Sequence, residues 1–162
     1  MRSLNPLALA ACLVTVGCSM SSSDTVKIMA PERAKQSYVS DIVIKSVPGN
    51  TSPEFTDKLR NALQDHLKQC ARGTQPLKLE VSIALFSPQN AALTILIGDS
   101  NKIKGTARFV DPVSGAVVGD YDVARSIGWG GIGAAVIMAY GEAEMSDAFA
   151  DEVCQRAFTP AN

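Results

Sequence analysis

The chain has 162 residues, 15 Lys and Arg against 16 Asp and Glu, 46% hydrophobic residues, four cysteines and a single histidine. That near-neutral balance leaves no electrostatic footprint for nucleic acid and shows no cluster of basic residues for an anionic membrane surface. One histidine cannot build a metal set of the usual spacing, no internal repeat is present, and after the N-terminal segment no apolar run approaches the length of a membrane span.

The chain opens with one charge, Arg2, then a mostly apolar run from Leu4 to Val16, then Gly17-Cys18 and a serine-rich tract. A short positive start, an apolar region of this length and a small residue at the cut site make a secretory signal. A cysteine directly after that small residue points to a bacterial lipoprotein signal. Residues 1–17 are then removed and Cys18 becomes the lipidated first residue, tethered to the membrane by acyl chains. Cys12, preceded by Leu9-Ala10-Ala11, has the more usual cleavage pattern. It would leave only Leu4 to Ala11, interrupted by Asn5 and Pro6, as the apolar region, so length selects Cys18. An ordinary signal peptide that discards both cysteines, leaving a soluble periplasmic protein, is the competing reading. Ser19 after the cysteine, in place of Asp, favours the outer membrane with the domain facing the periplasm.

Residues 18–37 read as a flexible tether: serines, Asp24 and Pro31-Glu32-Arg33 carry no sustained apolar period. Val26 and Ile28 alternate with polar neighbours and are compatible with a short edge strand. A single domain is expected over 38–158. Tyr38–Val47 reads as a strand, with Ile42 and Ile44 on one face and Val43 and Val47 on the other, ended by Pro48-Gly49-Asn50. A helix follows, capped by Ser52 with Pro53 at its first position, or by a Thr51/Glu54 capping box. Its stripe is Phe55, Leu59, Ala62, Leu63, Leu67 and Cys70, closed by Arg72-Gly73.

Leu77–Phe86 alternates as a strand with Leu77, Leu79, Val81, Ile83 and Leu85 inward. Ala91–Ile97 is apolar and reads as a strand or a continuation of the sheet. Lys102–Val110 alternates with Ile103, Ala107 and Phe109 inward, and Lys102, Lys104, Thr106 and Arg108 outward. Asp111-Pro112-Val113-Ser114-Gly115 is a hairpin connection, and Val117, Tyr121 and Val123 lie on the return strand. Ile127–Tyr140 is apolar and punctuated by glycine. Glu142–Phe158 reads as a second helix bearing Met145, Phe149, Val153 and Ala157. The expected fold is α+β: a mostly antiparallel sheet in the order strand-helix-strands-helix, with both helices on one face.

Gly128-Trp129-Gly130-Gly131-Ile132-Gly133 matches the spacing of a dinucleotide loop. No strand follows to complete a βαβ unit and no acidic residue stands at the end of one, so neither a nucleotide nor any other cofactor is expected. Either the glycines make a tight strand-to-helix connection, or the segment is an exposed apolar surface bearing Trp129, Ile132, Val136, Ile137, Met138 and Tyr140. His66 is expected partly buried on a helix face. Asp120, Asp122, Glu142, Glu144, Asp147, Asp151 and Glu152 read as solvated faces, and no metal site or catalytic motif stands out. A helical crossover between parallel first and second strands makes the two helices parallel, with Cys70 and Cys154 at a similar level near their ends. In an oxidising compartment this pair is expected as a disulfide; two buried thiols are the alternative.

The lipobox cysteine, Asn101-Lys102-Ile103-Lys104-Gly105, Asp111-Pro112-Val113-Ser114-Gly115, Val118-Gly119, the glycine segment and Ala148-Phe149-Ala150-Asp151-Glu152-Val153 together resemble a family of small uncharacterised bacterial envelope lipoproteins, of the domain-of-unknown-function type. The resemblance covers roughly residues 38–158 and rests on turn and packing motifs. It implies the envelope compartment and an α+β sheet, with no catalytic residues to carry over. Related-looking domains act as accessory or assembly factors. Two functions are therefore expected to compete. One is a non-catalytic binding or assembly module, held on the membrane by its lipid and docking on an envelope protein. The other is an envelope hydrolase with a spatially assembled site.

Overall fold

The computed structural model describes residues 19–21, 25–88, 100–128 and 141–159. In chain order the elements are β1 (Ser19–Ser21), β2 (Thr25–Lys27), α1 (Pro31–Gln36), β3 (Ser37–Ser46), α2 (Phe55–Cys70), β4 (Gln75–Ser87), β5 (Ser100–Val110), β6 (Val117–Gly128) and α3 (Gly141–Phe158). The described strands form one sheet in the order β1-β6-β5-β4-β3, with β2 also paired to β6. Only β3 and β4 run parallel; the other pairings are antiparallel. The exception has a simple cause: α2 connects β3 to β4, and a helical crossover returns the chain in the same direction. The class is α+β, as expected.

Strict alternation builds one buried face. On β5, Ile103, Ala107 and Phe109 are buried while Lys102, Lys104, Thr106 and Arg108 are exposed. Phe55, Leu59, Leu63 and Leu67 of α2 and Met145, Phe149 and Val153 of α3 join the same core. The helical stripe and the strand period thus converge on one cluster. The hairpin between β5 and β6 forms as its residue types predict. The Asp111 carboxylate accepts the Val113 and Ser114 N–H groups, and Gly115 takes φ 72°.

Four local expectations are overturned. The tether does not extend to residue 37: β2 and α1 are docked, and Met29 and Ala34 belong to the core. The Tyr121 hydroxyl accepts the Met29 N–H at 2.9 Å, and Arg33 pairs with Asp111 at 2.6 Å. These partners are too distant in the chain to show in local periodicity. Leu85 points outward (46% exposed) and Phe86 inward (4%), because the β4–β5 register shifts between Ile83 and Leu85 and a bulge resets the alternation. Val47 packs on the core together with Ile42 and Ile44 after another shift, between Ile44 and Ser46. Neither proposed cap forms. α2 starts at Phe55 with no side-chain cap bond, because the Thr51 hydroxyl donates to Pro48 and the Ser52 hydroxyl to Glu142.

Candidate interaction surface

The helices α2 and α3 meet along a seam whose contacts proceed in the same order on both. Near their starts, the Glu142 carboxylate accepts from the Ser52 N–H at 2.7 Å and from the Lys58 ammonium at 2.7 Å. Further along, His66 Nε2 lies 2.8 Å from Asp147 Oδ1, and its Nδ1 lies 3.9 Å from Asp151. At the ends, Cys70 and Cys154 are disulfide-bonded with Cα atoms 6.0 Å apart. Contacts rising together along both sequences mean that the helices are parallel.

Not all the carboxylates read as solvated faces are so. Glu142 is 17% exposed in its side chain. Burial pushes its pKa up, but the hydrogen bonds from Lys58 and Ser52 outweigh this and hold it below the usual carboxylate value. Asp120 is buried and pairs with Arg108 at 3.1 Å. Glu152 is buried and takes Arg125 at 3.0 Å. The sequence pattern hides such pairs, because each joins residues on different elements. His66 is partly buried as expected, and the described partners of its ring are the two carboxylates, with no serine hydroxyl among them. No metal-holding group of His, Cys, Asp and Glu exists among the described residues.

One end of the sheet collects the features that the sequence singled out. Ser19 of β1 stands opposite Ile127 of β6, which stands opposite Asn101 of β5. Ser100 pairs with Gly128, and Ser87 of β4 pairs with Lys102. The chain positions beyond these strand ends are Cys18, residues 89–99 with the apolar run Ala91–Ile97, and the glycine segment that continues at Trp129. Cys12, Cys18, Ala91–Ile97 and the candidate surface residues Trp129, Ile132, Val136, Ile137, Met138 and Tyr140 lie outside the described residues. A buried polar group marks the same end: Asn101 is shielded from solvent, and it is so close to Gly141 that a Cβ there would meet its amide at 3.3 Å.

The outward face of the sheet is charged in a graded way. Arg108 is flanked by Glu80 on β4 and Asp120 on β6, and Lys45 and Lys78 both pair with Glu80, at 3.2 and 2.7 Å. At the opposite end of the fold a cavity of about 240 Å³ opens between the link after β2, α1 and the end of α3, lined by Met29, Ala34, Lys35, Tyr121, Arg156 and Phe158. Burial pushes the Tyr121 hydroxyl pKa up there, against the Met29 hydrogen bond.

No protein-family model matches the chain, and no curated protein sequence matches it. Solved structures do. The PelC dodecamer of Paraburkholderia phytofirmans superposes with a TM-score of 0.61 at 12% identity, over 87% of this chain and 100% of that one. A candidate lipoprotein of Caulobacter crescentus gives 0.50 at 18% identity, over 70% and 84%. A Xanthomonas campestris protein of the DUF330 family gives 0.51 at 13%, over 80% and 90%. At such identities the likeness establishes a shared fold. That fold occurs in uncharacterised bacterial lipoprotein-like proteins, the class that the sequence resembles.

Proposed function

We propose that the protein is a lipid-anchored domain of the bacterial envelope, acylated at Cys18, that works as a non-catalytic binding or assembly module facing the periplasm from the outer membrane. The observation that carries this reading is the register at one end of the sheet. Ser19, the residue after the anchoring cysteine, pairs with Ile127, one position before β6 leads into the apolar glycine segment. Anchor and apolar segment therefore leave the domain from the same end, with no free spacer between Cys18 and β1. An apolar segment delivered to a membrane surface has a partner waiting, either the acyl region itself or an envelope protein embedded there. The PelC fold neighbour is a dodecamer, which supports assembly as a use of this fold.

Trp129 is the chain's one tryptophan, so its fluorescence reports that segment alone. In acylated protein reconstituted into vesicles, Trp129 emission is expected to be quenched by brominated lipid. Trp129→Ser with Ile137→Ser is expected to weaken crosslinking to envelope partners while leaving the thermal transition nearly unchanged. Unquenched emission together with unchanged crosslinking would sink the reading. A collapse of stability in the double variant would assign the segment to the core. Labelling with a fatty-acid analogue should disappear in Cys18→Ala and persist in Cys12→Ala; the reverse would move the anchor.

A further inference from the structure

The outward face of the sheet carries two lysines that differ from its other cations. Lys102 is flanked across the strands by Ser87 and Ser126, and Lys104 by Leu85 and Ala124. Both lysines are exposed, and neither makes an ion pair among the described residues, whereas Lys45, Lys78 and Arg108 are each matched to a carboxylate. The nearest carboxylate in the register is Asp122, diagonal to Lys104 rather than opposite it. The segments that adjoin this end, residues 89–99 and 129–140, carry one charge between them, Asp99. The linear sequence shows no basic cluster. The Lys-x-Lys spacing on a strand creates one by placing both side chains on the same face.

Their height above the anchored end gives these charges a use. Asn101 is level with Ser19 through the Ile127 register. At ~3.3 Å per residue along a strand, Lys102 lies ~3 Å and Lys104 ~10 Å beyond that level. The Debye length at physiological salt is ~8 Å, so Lys102 stands well within the field of a surface that touches the end of the sheet. Lys104 stands just beyond one Debye length and comes within it once the sheet leans toward that surface. Exposed Leu85, beside Lys104, adds an apolar contact at the same height. We infer that Lys102 and Lys104 bind the anionic phosphate headgroups of the membrane that holds the lipid anchor. In doing so they fix the tilt of the domain, with the outward sheet face leaning toward the bilayer. The inference rests on the anchored orientation proposed above and adds the class of lipid recognised.

The test uses the acylated protein on vesicles of phosphatidylcholine alone and of phosphatidylcholine mixed with phosphatidylglycerol. Lysine modification is followed residue by residue by mass spectrometry. Labelling of Lys102 is expected to slow roughly fivefold on the anionic vesicles, the factor that corresponds to one basic residue at such a surface. Labelling of Lys104, which stands further out, is expected to slow by a smaller factor in the same direction. Lys35 and Lys45 serve as references with unchanged rates, and high salt is expected to restore the labelling of both test lysines. Equal rates on the two vesicle types overturn the inference, and so does a slowing that survives high salt. Quenching of Trp129 by brominated lipid in the same samples separates the two levels. Quenching without protection of the lysines removes the headgroup contact alone; absence of quenching removes the anchored orientation itself.

Discussion

Glu142 does at long range what Thr51, Ser52 and Glu54 suggest locally. The start of α2 has no side-chain cap of its own; instead the Ser52 N–H and hydroxyl both donate to a carboxylate on α3 that also holds the Lys58 ammonium. Its folded pKa is depressed from the ordinary 4.5. The stabilisation it gives is therefore complete above that value and is lost as pH falls through the lower folded pKa. Glu142→Gln is expected to cost about 1–2 kcal/mol at neutral pH, measured by urea unfolding, and to flatten the acid limb of the stability curve. Some slope should remain, because Asp111 is held low by the Ser114 and Val113 N–H groups and Glu80 by Lys78. An unchanged acid limb in the variant would show that Glu142 is not the group titrating. His66 was legible as a partly buried helix-face histidine from its place beside the apolar stripe. The paired roles of Asp120, Glu142 and Glu152, two of them buried and Glu142 partly so, were not. Such a carboxylate is held by a cation from another element, and no local period encodes that.

At the scale of elements, period and turn chemistry predict well wherever the regular repeat holds. α2, the β5–β6 hairpin and α3 begin and end within a few residues of expectation, since 3.6-residue and two-residue periods need no knowledge of partners. The misreadings fall where a bulge interrupts the period. In β4 the shift between Ile83 and Leu85 exchanges the roles of two adjacent apolar residues, which sequence alternation cannot anticipate. The Phe86 ring packs at a tilt, its centroid 5.3 Å from that of Phe55 at the start of α2. Phe86→Ala is accordingly expected to cost about 3–5 kcal/mol, and Leu85→Ser to stay within about 0.5 kcal/mol, both by denaturant titration. Equal costs would return Leu85 to the core. The disulfide closes a separation of 84 residues, for which chain entropy assigns about 4.5 kcal/mol of stabilisation. Denatured, unreduced mature protein should therefore show no free thiol at Cys70 or Cys154, and reduction should lower the thermal transition; two free thiols would refute the bridge. After α2 ends at Cys70, Gly73 is required by close approach: a Cβ there would lie 1.9 Å from the Gln36 carbonyl carbon, because the turn crosses directly against the start of β3.

For the molecule as a whole, the unexpected feature is how early order begins. A tether running to residue 37 follows from composition alone: a serine-rich, proline-containing segment with few apolar residues cannot order itself. It can be ordered by the rest of the chain, and here the β6 edge does so. β1 and β2 cover that edge, Lys27 donates to the Val117 carbonyl, and Arg33 of α1 is clamped by Asp111 and Gln75. Covering an exposed edge is a general means of suppressing unwanted strand pairing. It also has a consequence for the proposed anchor at Cys18. A long flexible tether would let a lipid-anchored domain tumble above the membrane, whereas a pairing that starts at Ser19 would hold one end of the sheet against it. Trypsin discriminates the two states. On the native protein, cleavage after Arg33 and Lys35 is expected only at the rate of opening of the domain, because a protease needs extended backbone and α1 is helical with Ala34 in the core. Arg33→Ala with Gln75→Ala should release α1 and make the Lys35 site the first to be cut, with the remaining core still folded by circular dichroism. If the native chain is instead cut there at once, β2 and α1 belong to the tether. The domain would then stand free of the membrane by the length of that segment, and the fixed tilt inferred from Lys102 and Lys104 would have no mechanical basis.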